Sequence, residues 1–141
     1  MSATQLATLA PTSAPQSMLR RFLALDAVVT GTNALAYLAF SGPLGRFLGV
    51  DSTLLLALGA FLTAYAAGVG LLAARRQPPA LGVQAVVDIN LAWTAVSLTA
   101  LALWLTPSTA GAVWTVLQSL TVAGFAVLQY RALRVRQGSS D

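Results

Sequence analysis

Two acidic residues, Asp26 and Asp88, are the side chains most able to do chemistry, because each lies inside a long apolar stretch of the chain. Asp26 falls within residues 22–40, which also contain Thr30 and Asn33. An acid inside an apolar segment of this length is costly in a bilayer and should face protein or water rather than lipid. A carboxyl in that position can take up a proton or bind a cation. Asp26 and Asp88 therefore form the predicted proton or cation site.

Four polar residues are predicted to line a cavity around the two acids: Thr30, Asn33, Gln84 and Asn90. Helical spacing places Thr30 and Asn33 on the same helix face as Asp26. Asp88 and Asn90 point about 200° apart on their own helix, so these two cannot both face one small site. The cavity is expected to open toward the cytoplasm, because both acids lie in the cytoplasmic parts of their helices.

A structural interpretation of the same residues also stands. An acid this close to the membrane surface can pair with a flanking arginine, and four are available: Arg20, Arg21, Arg75 and Arg76. Amide and hydroxyl side chains often join membrane helices by hydrogen bonds worth about 0.6 kcal/mol each, without any further role. Gln118 and Gln129 share a helix face, which is most simply a contact between helices.

The rest of the composition excludes most enzyme chemistry. The 141 residues include no Cys and no His, and also no Glu or Lys, so the titratable side chains are those of Asp, Arg and Tyr. Disulfides and ordinary zinc sites are excluded, and hydrolytic triads almost so. No catalytic residue, metal site or cofactor is predicted. A membrane enzyme that uses only Asp and Tyr as acid or base is the least favoured interpretation.

The composition is typical of an integral membrane protein, with 57% hydrophobic and 9% charged residues. Soluble domains carry about 25% charged residues. The predicted fold is all-α, an antiparallel bundle of four transmembrane helices within residues 18–133, at about residues 19–40, 52–74, 80–105 and 108–131. Residues 1–17 are predicted to be a flexible tail, and residues 134–141 a cytoplasmic tail.

The arginines predict how the bundle is oriented. Seven of them flank the two termini and the middle loop, whereas the other two loops contain Arg46 alone. The positive-inside rule then places both termini in the cytoplasm, with the spans in a bacterial inner membrane. The arginines that this rule places beside the spans also account for the net positive charge of the chain, so nucleic-acid binding is not needed to explain it. The predicted partners are the lipid bilayer and further copies of the chain or a larger membrane complex.

The two halves of the chain resemble each other. Residues 27–30 are similar to residues 85–88, and Asn33 and Asn90 each precede a similar apolar stretch. This pattern indicates two helical hairpins related as a parallel repeat. The alternative is chance similarity between two helices rich in Ala and Val, since the register needs a gap.

The stretches DAVVTGTNALAYLAFSGPLGRFLG and NLAWTAVSL resemble the small four-span integral membrane proteins of actinobacterial genomes. The resemblance covers about residues 20–133. In outline the chain is also similar to DoxX-like four-helix membrane proteins. Because those actinobacterial proteins have no assigned activity, the resemblance implies a fold but no role for any residue.

Two hypotheses for the function follow. The first is a non-enzymatic protein with a structural or accessory role in a membrane assembly. The alternative is a small proton- or cation-coupled transporter that uses Asp26 and Asp88 and works as an oligomer, because four helices enclose little space. The first predicts acids paired with arginine, and the second predicts acids in a cavity.

Overall fold

The described residues fold into five helices, four of which are long. The computed structural model describes the backbone of residues 3–140 and the side chains of residue 14 and residues 16–138. The helices are α1 (Ala3–Ala39), α2 (Ser41–Leu48), α3 (Ser52–Ala74), α4 (Ala80–Leu103) and α5 (Thr109–Ser140). All except α2 contain a segment long and apolar enough to cross a membrane. The predicted all-α fold with four spans is therefore confirmed, and the chain is a multi-pass membrane protein.

Both terminal helices extend beyond their predicted limits. α1 begins at Ala3, within the stretch predicted as a tail, and α5 continues to Ser140. A helix that leaves an apolar span keeps its backbone hydrogen bonds by continuing. Arg136 also fastens the two extensions, because its Nη1 donates to Gln16 Oε1 at 3.0 Å and to the Pro78 carbonyl at 2.6 Å. The sequence pattern did not reveal this contact between the two ends of the chain.

The long helices pack as two hairpins that are open along one side. α1 packs closely against α3 and also against α5, and α4 packs against α5, whereas the backbones of α3 and α4 lie farther apart and are joined by side chains. Gly59 permits the closest approach of α1 and α3, since a Cβ there would lie 3.2 Å from the Ala34 carbonyl oxygen. An exact repeat would make α3 and α4 pack as α1 and α5 do. The two hairpins are therefore not equivalent.

The two ends of the bundle have separate apolar cores. At the end where Arg20 and Arg75 lie, called here the arginine end, eight buried side chains form one cluster: Leu19, Leu23, Val69, Ala73, Val83, Val86, Ala132 and Leu133. At the other end, called the α2 end, the cluster is smaller: Ala34, Tyr37, Leu55 and Leu62. Asp26 lies in α1 between the two cores.

The short helix α2 is docked on the start of α5. The Ser108 amide donates to the Leu48 carbonyl at 3.1 Å, and its hydroxyl donates to the Phe47 carbonyl at 2.7 Å. Gly49 ends α2 with a φ of 71°, a conformation that favours glycine. Asp51 then caps α3 by accepting a hydrogen bond from the Thr53 amide at 2.8 Å.

Gly111 is predicted to be essential for this docking. A Cβ at this position would overlap the Leu48 carbonyl oxygen, which belongs to the backbone and cannot move aside cheaply. We expect Gly111→Ala to lower the thermal unfolding temperature, with a cost of about 1–3 kcal/mol. Gly124→Ala on the same helix is the matched control, because a Cβ there meets nothing within 4 Å. Equal melting temperatures for the two variants in detergent would contradict the docking described here.

Candidate functional site

Asp26 is the centre of the candidate site and is only 1% exposed. The Thr30 hydroxyl, one helical turn further along α1, donates to Asp26 Oδ1 at 3.0 Å. The amide groups of Asn90 on α4 and Gln129 on α5 both donate to Oδ2, each at 2.8 Å. The predicted stripe of α1 therefore does face the interior, and it brings the carboxyl to the place where three helices meet.

A wider set of hydrogen bonds extends the site to all four spans. The Tyr65 hydroxyl on α3 donates to Asn90 Oδ1 at 2.8 Å, and Asn90 Nδ2 also donates to Gln129 Oε1 at 3.1 Å. We call these five residues the Asp26 network: Asp26, Thr30, Tyr65, Asn90 and Gln129. Every donor in it points, directly or through an amide, toward the carboxyl. The Asp26 network therefore concentrates positive hydrogen-bond dipoles on one acid.

The acid has no arginine partner. In the part of the chain that the structure describes, every hydrogen bond to the Asp26 carboxyl comes from a neutral group. Arg20, one of the four arginines considered for pairing, instead donates from Nε to the Ala73 carbonyl at the end of α3, at 3.0 Å. Neutral hydrogen bonds support a buried charge without cancelling it, so the site stays one unit negative when Asp26 is ionised.

Asp88 does not join Asp26. It lies on an exposed face of α4, where Gln84 Nε2 donates to its Oδ1 at 2.9 Å. The physical reason is the helical angle between Asp88 and Asn90, since the buried Asn90 turns Asp88 away from the bundle. Of the two predicted acids, only Asp26 is placed in an interior site, and Gln84 stays with Asp88 outside it.

A small cavity of about 30 Å³ adjoins the Asp26 network on the side toward the α2 end. Thr30, Asn33 and Asn90 line it, and Tyr65 and Trp93 complete the polar and aromatic wall. This volume holds about two water molecules. The cavity was expected to open toward the arginine-rich side, but the arginine-end core fills that direction. Leu19, Leu23 and Val83 are fully buried there.

A larger cavity of about 270 Å³, the α3–α4 cleft, lies beside it toward the α2 end. The cleft is lined mainly by leucine and aromatic side chains, and Tyr37, Trp93 and Gln118 line both cavities. Trp93 Nε1 donates to Gln118 Oε1 at 2.9 Å, and Trp114 Nε1 donates to the Tyr37 hydroxyl at 2.8 Å. These bonds fix the indole rings, so the cleft walls are ordered apolar surfaces.

Two members of the Asp26 network were not predicted as site residues. These members are Tyr65 and Gln129. Gln129 was interpreted as an interhelical contact, and it is such a contact, but one that ends on Asp26. A fully buried glutamine in a membrane span requires a polar partner. That requirement is the signal that could have connected Gln129 with the acid in α1.

The neighbourhood of Asp26 contains few other titratable or charged groups. Tyr65 faces the Asp26 network from α3, Asp88 points outward from α4, and Arg131 is exposed on α5 beyond Gln129. On α1, Arg20 and Arg21 lie at the arginine end, with the buried Leu23 between them and Asp26.

Comparisons of the chain with protein-family models, curated proteins and solved structures give no match.

Proposed function

We propose that this membrane protein is a small proton-linked carrier in which Asp26 takes up and releases the proton. The observation that supports the proposal most is the burial of Asp26 among neutral donors, with no arginine beside it. An ionised carboxylate inside a membrane protein is costly without an opposite charge. A proton is the smallest species that can remove this cost.

Thr30 allows the site to satisfy both charge states. Its hydroxyl donates to Oδ1 of the ionised acid, and it can accept a hydrogen bond when that oxygen carries the proton. The hydroxyl hydrogen then turns to the Asp26 backbone carbonyl one turn earlier, a bond that Thr32 and Thr63 make to Val28 and Gly59. Meanwhile Oδ2 keeps its two amide donors. Neither state leaves a polar group without a partner.

The cavities supply a route for the proton on one side only. Water in the small cavity contacts Thr30 and Asn90, which hold Asp26 by direct hydrogen bonds. The arginine-end core separates Asp26 from the opposite surface. With the arginine end in the cytoplasm, as the positive-inside rule predicts, the described conformation gives access from outside the cell. A carrier cycle then requires a second conformation in which that core opens.

Infrared titration of the carboxyl band in lipid tests the proposal. We expect a protonated-carboxyl band that responds to pH in the wild type and is missing in Asp26→Asn. Asp88→Asn is the matched control and should keep this band, because Asp88 makes no hydrogen bond to the Asp26 network within the described part of the chain. Thr30→Val, which removes the hydroxyl at nearly constant volume, should shift the band without abolishing it. A wild-type spectrum without a protonated-carboxyl band that depends on Asp26 contradicts proton uptake.

A second candidate is the structural or accessory role. It is favoured by the completeness of the Asp26 network, since no buried side-chain polar atom of the described residues lacks a hydrogen-bond partner. A network that joins four spans can hold them together without having any further role. In that case Asp26→Asn lowers stability or assembly, and the infrared spectrum of the wild type shows no titrating carboxyl.

A further inference from the structure

The α3–α4 cleft leads from the exposed side of the bundle toward Asp26. Leu54 on α3 and Val96 on α4 line the cleft and are 38% and 64% exposed, so they form its outer rim. The inner part adjoins the small polar cavity, because Tyr37, Trp93 and Gln118 belong to the walls of both. Because both rim residues are exposed and belong to candidate membrane spans, the cleft opens on a side of the bundle that faces the bilayer.

The walls of the cleft select an apolar and partly aromatic ligand. Leu55 and Leu58 form one side of the cleft, and the rings of Trp93 and Trp114 belong to the other. Both indole N–H groups already donate to Gln118 and Tyr37, so a ligand meets ring faces and alkyl groups rather than free donors. Phe61 stacks on Trp93 with ring centroids 6.1 Å apart, which extends the aromatic surface to the small cavity.

The charge near the cleft selects a cation. No charged side chain is among the described residues that line either cavity. The Asp26 carboxylate lies one hydrogen bond behind Thr30 and Asn90, which are walls of the small cavity. In a low-dielectric interior a negative charge at this distance attracts a cation, and aromatic ring faces attract it further.

We propose that the α3–α4 cleft binds a lipophilic organic cation that enters from the bilayer. Its apolar body lies against Trp93 and Trp114, and its charged group lies at the inner end of the cleft, where the small polar cavity leads toward Asp26. This inference rests on the proposed function, because it names the substrate class of the same carboxyl. One monovalent cation and one proton compete for Asp26, so binding of the cation releases one proton to water.

The test uses a charged probe and a neutral probe of the same shape. The full chain is placed in nanodiscs of zwitterionic lipid and titrated with phenyltrimethylammonium or with tert-butylbenzene, against empty nanodiscs. Trp104→Phe serves as the background, because Trp104 is 73% exposed outside the cleft, so Trp93 and Trp114 remain as fluorescent reporters. A weakly buffered sample with a pH dye measures the protons released.

We expect saturable quenching by the cation, with affinity reduced about tenfold or more in Asp26→Asn and unchanged in Asp88→Asn. The neutral probe should bind more weakly than the cation and should be insensitive to Asp26→Asn. Trp114→Leu should weaken binding of the cation without affecting the infrared band of Asp26. Asp26→Asn keeps the size of the side chain. Melting curves of Asp26→Asn and Trp114→Leu check that each variant keeps the fold.

Several results overturn the inference. If both probes bind equally and Asp26→Asn changes neither, the cleft selects for apolar character alone. If a co-purified lipid fills the cleft and no cation displaces it, the occupant is a lipid chain. If cross-links between Leu54→Cys and Val96→Cys of separate copies form in high yield and block quenching, a second copy covers the cleft.

Failure of this inference and failure of the proposed function are distinguishable. If the Asp26 band titrates but no cation binds, proton uptake by Asp26 is supported and the proposed cation binding is contradicted. Cation binding that depends on Asp26, without a titrating band and without proton release, removes the proton linkage and leaves a cation site.

Discussion

Replacing Asn90 with leucine is expected to lower the free energy of unfolding by about 3 kcal/mol, one of the two largest effects predicted for this chain. Asn90 donates to Asp26 and to Gln129 and accepts from Tyr65, so the substitution breaks three hydrogen bonds at once. It also leaves a buried carboxyl with one amide donor fewer. A charged group that loses a partner in a dry interior costs more than an average interhelical hydrogen bond.

Reversible unfolding in mixed micelles, followed by circular dichroism, measures this loss. Asn33→Leu is the matched control, since Asn33 lines the small cavity but makes no hydrogen bond within the described part of the chain. We expect it to cost less than about 1 kcal/mol, on the order of an average membrane hydrogen bond. The cost of Asn90→Leu should also shrink when Asp26 is replaced by leucine. An equal cost in both backgrounds would show that Asn90 acts independently of the acid.

Replacing Gly59 with leucine is the second large effect that we predict. A Cβ at Gly59 would lie 2.8 Å from Leu38 Cγ and 3.2 Å from the Ala34 carbonyl oxygen. The Leu38 side chain can turn away, but the α1 backbone cannot, so a leucine must push α1 and α3 apart. We expect a loss of about 3 kcal/mol or more, because overpacking at a close helix contact adds to the lost α1–α3 packing.

The same substitution at Gly68 gives the control for this prediction. Gly68 lies on the same helix and is exposed, and a Cβ added there would meet nothing within 4 Å. Gly68→Leu should therefore unfold like the wild type in the same micelles. A comparable loss at both glycines would mean that leucine disturbs α3 itself and that the approach of α1 is not the cause.

The spans and their ends were largely predictable from the sequence. Ser41-Gly42-Pro43 interrupts one apolar segment, and Arg75 and Arg76 close another. The structure starts α3 at Ser52 and α4 at Ala80, at the predicted residues. The interior position of Asp26 was also predictable, because an acid in an apolar helix has few other places to go. These inferences depend on one helix at a time.

The pairing of helices was not predictable in the same way. A membrane helix carries apolar residues toward lipid as well as toward its neighbours, so its pattern does not reveal which face is buried. Asp88 and Asn90 show the problem, since only the arrangement of α4 against α5 decides which of them faces Asp26. Gln129 and Tyr65 joined the site for the same reason. The choice depends on contacts between distant parts of the chain.

The wide separation of Asp26 and its partners along the chain has a consequence for biosynthesis. Asn90 follows Asp26 by 64 residues and Gln129 follows it by 103. At ordinary translation speeds the ribosome needs about 5–20 s to make the residues from Asp26 to Gln129. Among the described residues that donate directly to the carboxyl, Thr30 alone is made before Asn90. The nascent first hairpin is therefore the stage of synthesis at which helper proteins or water must shelter Asp26.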